Sequence, residues 1–429
     1  MGRLEEQDFD EKRLARRNRR KRSQLFAFII LIVAIVLIAA GILAAVFYGS
    51  RFVKTRTETE EAADEAVSEE ETQDIAIETP SETEPEDLKM NENDVMNEVV
   101  GGIIGEMSLE DKVAGLFMVN PEQLTGVTTV VKAGSSTRDA LAQYAVGGIV
   151  YSAKNLKQTD QTSEMLKATS EMSKYPLFIA TREEGTQDSV VTASIGGIET
   201  IDVNSSDSAY NMGAGIASAL FAYGFNFDIA PNLDITENGH YGTDPDVAKD
   251  LTAAMVRGLQ ESGITACLHD FPLSADTSKG VVSNEITTDE LVSNIYNIYN
   301  NAFVNGEAKA VMLSNISLPQ VIGDETPVSL SEKIISEDLR GSLGFGGVII
   351  TGPMNDGAIT ANYTSDKAAV AAIKAGADMI FMPEDFKAAY QGLLSAVQNG
   401  EITEERIDES LSRIFAIKYA DRVNQITGN

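Results

Sequence analysis

The amino-acid sequence predicts an α/β protein whose main body is a closed (β/α)8 barrel, preceded by one transmembrane helix and an acidic linker. Three observations predict it. Eight apolar runs of strand length recur between Leu116 and Met382, with helical patterns in most of the intervals. A single long uncharged run lies near the N-terminus, and a polar, strongly acidic stretch separates the two.

The first element is a basic segment, residues 1–24, with Arg13, Arg16, Arg17, Arg19, Arg20, Lys21 and Arg22 close to its end. Residues 25–48 follow without one charged side chain. At ~1.5 Å rise per residue they reach about 36 Å as a helix, enough for a hydrocarbon core of ~30 Å. Phe26, Phe28, Phe47 and Tyr48 stand at its two ends, where interfacial aromatics belong. A cleaved signal peptide has an apolar region of only ~7–15 residues and a small-residue cleavage site. This run is longer and ends in Val46-Phe47-Tyr48, which favours a retained, single-pass anchor. The positive-inside tendency keeps the N-terminus cytoplasmic and sends the bulk of the chain outside. The membrane is therefore the first expected partner, through residues 25–48.

Residues 49–95 are rich in Glu, Thr, Ser and Ala and poor in aromatics. Such a stretch cannot bury enough apolar surface to offset its ordering entropy, so a disordered, self-repelling linker is expected. The chain carries −31; residues 1–24 hold +4 and residues 50–95 hold −12, which leaves −23 on the remainder. An acidic exterior domain argues against nucleic acid and against docking on anionic lipid. The single cysteine, Cys267, excludes an intramolecular disulfide and is expected as a small buried hydrophobe.

Residues 96–429 make the barrel domain. The apolar runs are Leu116–Val119, Gly147–Tyr151, Leu177–Thr181, Asn226–Ala230, Ile264–Leu268, Ala310–Ser314, Gly347–Thr351 and Asp378–Met382. Asp289–Phe303 places Leu291, Ile295, Ile298 and Ala302 at helical spacing, opened by Thr287 and Glu290 as a capping box. Glu404–Tyr419 repeats the pattern with Ile407, Leu411, Ile414 and Ile417. Buried strands alternating with helices mean a parallel sheet, and eight such units point to a TIM-type barrel rather than an open doubly wound sheet. No Gly-x-Gly-x-x-Gly follows an early strand, so a dinucleotide fold has no support. In a barrel the chemistry sits just after each strand, which directs attention to Arg182, Pro231, His269, Asn315, Gly352 and Pro383.

Several ordered segments resemble glycoside hydrolase family 3, in particular its bacterial β-N-acetylhexosaminidases. Met107-Ser108-Leu109-Glu110-Asp111-Lys112-Val113 is similar to that family's opening helix, and Gly147-Gly148-Ile149-Val150 to its second strand. Ala230-Pro231-Asn232-Leu233-Asp234 matches its Ala-Pro-x-x-Asp segment. Gly242-Thr243-Asp244-Pro245, Val256-Arg257-Gly258-Leu259-Gln260, Pro327-Val328-Ser329-Leu330-Ser331, Leu343-Gly344-Phe345-Gly346-Gly347 and Ala375-Gly376-Ala377-Asp378 follow in the right order. The likeness covers roughly Gly105 to Val423.

The resemblance implies a retaining glycosidase, which needs a carboxylate nucleophile and a proton donor ~5–5.5 Å apart. The family's nucleophilic Asp follows Ile-Thr after the seventh strand; here Gly352 stands there. The family's donor is the His of an Asp-Ser-His run after the fifth strand; here those positions are Gly280, Val281 and Val282. The sugar-clamping Asp and Arg of Asp-x-Glu-Gly-Gly-Arg align with Arg182 and Gln187, and a Lys-His pair becomes His269-Asp270. Glu184, Gly185, Phe271, Pro272 and Asp276 still match. The candidate pocket is Arg182, Glu184, Gln187, His269, Asp270, Asp276 and Gly352, and no catalytic residue is assigned among them.

Three functions follow from that pattern. The first is a membrane-anchored pseudoenzyme that binds a peptidoglycan-derived N-acetylglucosamine glycan or an envelope protein. The second is an active β-N-acetylhexosaminidase with displaced carboxylates, Glu184 and Asp270 above all, with Glu183 and Asp356 also in reach. The third is an interaction scaffold with no carbohydrate role. Simple local roles compete with these. Glu184 is expected to bond loop amides, Asp356 to cap a helix beginning near Gly357, and Arg182, His269 and Asp270 to form a charge network. No cofactor is expected. No metal is expected either, because His240 and His269 are the only histidines and neither has a partner at ligand spacing.

Overall fold

Eight short strands, all parallel, run in the ring order β7-β6-β5-β4-β3-β2-β1-β8. They are β1 (Phe117–Val119), β2 (Gly148–Val150), β3 (Phe178–Thr181), β4 (Phe227–Asp228), β5 (Thr265–Phe271), β6 (Ala310–Leu313), β7 (Val348–Ile350) and β8 (Ile380–Phe381). The ends of the sheet meet at a bridge between Ile350 and Met379, so the ring closes. The computed structural model describes residues 91–233 and 241–427. The expected membrane segment, the basic segment and the linker up to residue 90 lie outside the described residues, as do Asp234 and His240. Among the described residues no helix is long and apolar enough to cross a membrane.

The chain forms this ring because its strands are apolar on both faces: Phe117, Met118, Ile149, Ile179, Phe227, Val311 and Ile349 are buried, inside the barrel or beneath its helices. Gly258, part of one family-like segment, has a packing reason. A Cβ there would stand 2.2 Å from the Tyr210 carbonyl oxygen, and one at Gly213 would stand 2.3 Å from that of Met255. The two glycines let the helices Ser206–Tyr223 and Pro245–Glu261 touch backbone to backbone. Asp378 likewise serves the frame. Its buried carboxylate accepts from Ile349 N–H (2.9 Å), Ser410 Oγ (2.8 Å), Arg413 (2.9 Å) and Arg340, tying the β7–β8 seam to the helix Glu404–Lys418.

Three boundaries differ from the sequence expectation. The helix Glu92–Glu106 begins inside the expected linker, because Asn91 accepts from Asp94 N–H as its N-cap and Val100 and Ile104 find a core. The helical stretch after Thr287 has the expected capping box but is not uniform: it passes from Thr288–Glu290 through a π-helix, Leu291–Tyr296, into Asn297–Val304. Strand β5 continues three residues past Leu268, with a register shift between Leu268 and Phe271, so His269 and Asp270 belong to the strand and not to a loop after it.

Candidate functional site

The C-terminal ends of β3, β4 and β5 converge on one imidazole. His269 is 0% exposed. Its Nε2 lies 2.8 Å from Glu184 Oε1 and its Nδ1 lies 3.3 Å from both Asp270 Oδ1 and Arg182 Nη2. An Asn232–His269 bridge and the bond from Leu233 N–H to the His269 carbonyl (2.8 Å) fix the ring's backbone. The Asn232 N–H also donates to the Glu184 carboxylate at 3.1 Å, and Ser274 Oγ donates to Asp270 at 2.9 Å. Each carboxylate therefore has donors besides the histidine.

The charges shift one another. Burial alone disfavours an imidazolium, but the Asp270 and Glu184 carboxylates outweigh burial and raise the His269 pKa, with Arg182 opposing. Burial raises the pKa of Glu184, yet His269 and Arg182 bring it below its ordinary value. Asp270 follows the same logic. Asp228, at the end of β4, behaves in the opposite way. Burial, reinforced by the charges of Glu184 and Glu183, raises its pKa well above the ordinary carboxylate value and so favours the neutral form. Its Oδ1 accepts from Glu183 N–H (2.9 Å), and its buried Oδ2 has no hydrogen-bond partner among the described residues.

The β6 and β7 ends are organised by packing. A Cβ built on Gly352 would stand 2.8 Å from Asn315 Oδ1 and 2.8 Å from the Leu313 carbonyl oxygen. Asn315, 2% exposed, thus occupies the space a side chain at 352 requires. Its Nδ2 donates to the Pro353 carbonyl at 2.7 Å and to Asp356 Oδ2 at 3.3 Å. Thr277 Oγ1, from the loop after β5, donates to the same Asp356 oxygen at 2.6 Å. Backbone bonds from Gly357 to Ser278 (3.2 Å) and from Ala358 to Thr277 (3.1 Å) press that loop onto the β7 loop.

Several sequence expectations are refined here. Glu184 does bond a loop amide, the Asn232 N–H, but Glu183 bonds more of them: it accepts from the N–H groups of Gly185, Val191 and Thr192 and from Thr192 Oγ1. Asp356 makes no side-chain cap on the helix Gly357–Thr360, because Thr277 and Asn315 hold its carboxylate instead. Asp276 stays out of the cluster; exposed, it closes a local turn by accepting from Ser278 N–H and Oγ. Gln187 is exposed and has no hydrogen bond among the described residues. Val282 contributes only a backbone carbonyl, which accepts from Ser317 N–H at 2.9 Å. Asp228 and Asn232 were not singled out by the sequence. The one signal was polarity at the end of an apolar strand, Phe227-Asp228-Ile229, and at the segment Pro231-Asn232 that follows it.

A family profile described as "Glycosyl hydrolase family 3 N terminal domain" matches residues 108–417. The chain belongs to glycoside hydrolase family 3. Within that family it is similar to the β-hexosaminidase LpqI of Mycobacterium tuberculosis, 24% identical over 344 residues, which span 74% of this chain and 84% of that protein. A solved family 3 β-N-acetylglucosaminidase from Paenibacillus sp. str. FPU-7 superposes with a TM-score of 0.67 at 29% identity, over 74% of this chain and 63% of that one. The solved structure of LpqI, at 23% identity and a TM-score of 0.65, shares the fold. The chain spans about half, 54%, of β-hexosaminidase A from Pseudoalteromonas piscicida, to which it is 22% identical.

Proposed function

We propose that this chain is a membrane-anchored, extracytoplasmic family 3 barrel that has lost hydrolysis and binds cell-envelope glycan. Its relatives include enzymes named for N-acetylglucosamine and hexosamine chemistry, which supports an N-acetylglucosamine-containing fragment as ligand. The uncharged run at residues 25–48 with its basic flank supports the anchor and a cytoplasmic N-terminus.

One observation carries the loss of hydrolysis. Asn315 fills the volume beside Gly352, so residue 352 carries no carboxylate and a side chain there would meet Asn315 and the Leu313 carbonyl. On the donor side Val282 offers no titratable group. Glu184 and Asp270, two candidate replacements, are both engaged with His269. Retaining hydrolysis requires two carboxyl-type groups facing each other at ~5–5.5 Å, and inverting hydrolysis requires ~6.5–9.5 Å with a water between.

The test uses the purified full chain and an aryl N-acetylglucosaminide. No chromophore release is expected, and sustained turnover ends the proposal. A second reading, an active hydrolase with displaced carboxylates, takes support from Asp356, whose carboxylate is held at Asn315 next to the vacated position. It requires turnover that disappears in both Asp356→Asn and Asp270→Asn. Calorimetric titration with a muropeptide separates the remaining alternative: heat that is lost in Arg182→Ala favours a glycan ligand, and silence favours a protein partner.

A further inference from the structure

A polar recess of about 310 Å3 opens on the barrel flank between the helices Pro245–Glu261 and Asn297–Val304, and none of its lining residues belongs to the cluster around His269. Asn294, Asn297, Asn300, Asn301 and Asn305 line one wall, and Asp246 and Lys249 line the other. Five asparagines between residues 294 and 305 are a costly choice for a helix face. Asn is a weaker helix former than Ala, Glu, Lys or Gln, because its amide competes for backbone groups in non-helical conformations. A face that only needed to be wet would be better served by those residues. The same stretch opens in the π-helix Leu291–Tyr296, a distortion frequent at functional sites.

The amides are oriented but not used up. Asn297 Nδ2 donates to the Ser293 carbonyl (3.0 Å), Asn301 Nδ2 to the Lys249 carbonyl (2.8 Å), and Asn305 Nδ2 to Asn301 Oδ1. The side-chain oxygens of Asn297 and Asn305, and the whole amides of Asn294 and Asn300, have no hydrogen bond among the described residues. Lys249 and Asp246 pair at 2.7 Å, with Asp250 and Asp244 beside them, so the recess offers an anion no free cation among the described residues.

We propose that this recess binds an uncharged, hydroxyl-rich ligand of one or two sugar rings, as a second contact independent of the barrel mouth. An amide offers a donor and an acceptor side by side, as each hydroxyl of a saccharide does. The paired lysine gives an anionic ligand no advantage. The volume sits at the lower end of the ~300–1,000 Å3 of small-molecule sites. No aromatic ring lines the recess, so affinity in the millimolar range is expected.

The experiment is saturation-transfer NMR on the full chain in detergent micelles, with chitotriose and maltotriose as probes at millimolar concentration. At least one probe is expected to give a signal that survives in Arg182→Ala and is lost when Asn297→Ala and Asn300→Ala are added to it. The added pair should leave the melting temperature unchanged or raise it, because alanine is the better helix former; loss of signal is then not loss of fold. A signal that disappears in Arg182→Ala alone, one that the asparagine pair leaves intact, or none from either probe, overturns the proposal. The mouth reading fails separately, if Arg182→Ala changes nothing.

Discussion

Around β3, β4 and β5 the barrel mouth holds Arg182, Glu184 and Asp270 within 3.3 Å of one buried imidazole. Around β6 and β7 it holds a glycine, an asparagine packed into the glycine's space, and a carboxylate tied to a threonine. One half is built of charged residues that stay paired. The other half leaves no free space for a side chain at residue 352. Charge can be rebalanced residue by residue, because each new ion needs only a partner within a few ångströms. Space in a close-packed interior is harder to recover, because a single added carbon meets backbone as well as side chain.

The comparison can be broken most directly on the charged side. His269→Ala leaves Glu184 and Asp270, whose side chains are only 16% and 21% exposed, without their shared partner. Removing one member of a buried pair costs about 3–5 kcal/mol. The lower end is expected here, because both carboxylates keep other donors. Urea unfolding measures it, and a loss below ~1 kcal/mol would mean that the cluster is solvated.

The packed side is tested by Gly352→Asp. Overpacking of this kind costs about 1–3 kcal/mol. Asn315→Gly in the same chain should recover only part of it, since the Leu313 carbonyl still stands 2.8 Å from the new Cβ. Neither variant is expected to cleave an aryl N-acetylglucosaminide. Turnover in the double variant would show that the lost carboxylate was the sole defect.

A smaller effect sharpens the picture at the junction of the halves. Thr277→Val removes the 2.6 Å bond to Asp356 and should cost about 1 kcal/mol. Faster amide exchange in residues 276–282 would accompany it; unchanged exchange would mean that the loop is held by its backbone bonds alone.

The pH dependence should be the smallest signal. His269 titrates above its ordinary 6.5 in the folded chain, so its contribution to stability is complete below 6.5 and is lost as pH rises through the folded value. Glu184 and Asp270 are lowered from 4.5 and 3.8, so theirs is complete above those values and is lost as pH falls through the folded ones. The stability difference between the parent chain and His269→Gln should therefore be greatest between pH 4.5 and 6.5 and decline above it. A difference that grows above pH 6.5 would reverse the assigned sign.

How much of this was legible in the sequence depended on distance along the chain. The eight strands were legible because burial on both faces writes each one as a continuous apolar run. The identities at the two positions the resemblance singles out, Gly352 and Val282, were legible too; the packing of Asn315 beside Gly352 was not. The two glutamates were not separable. Glu183 and Glu184 are neighbours, and alternation at the end of β3 sends one into the loop amides and the other across to β4 and β5. Asp356 looked like a helix cap because its sequence neighbours allow it, whereas Thr277 and Asn315, 79 and 41 residues away, take its carboxylate.

The sequence by itself determined the barrel and the resemblance to the family, and it places glycine at 352 and valine at 282, because those follow from local pattern and from residue identity. Only the tertiary structure decided that Asn315 packs into the space beside Gly352, that burial raises the pKa of Asp228, and that His269 gathers three charges. Each of those depends on which strand ends meet across the ring, and the strands that meet are separated by dozens of residues of intervening helix.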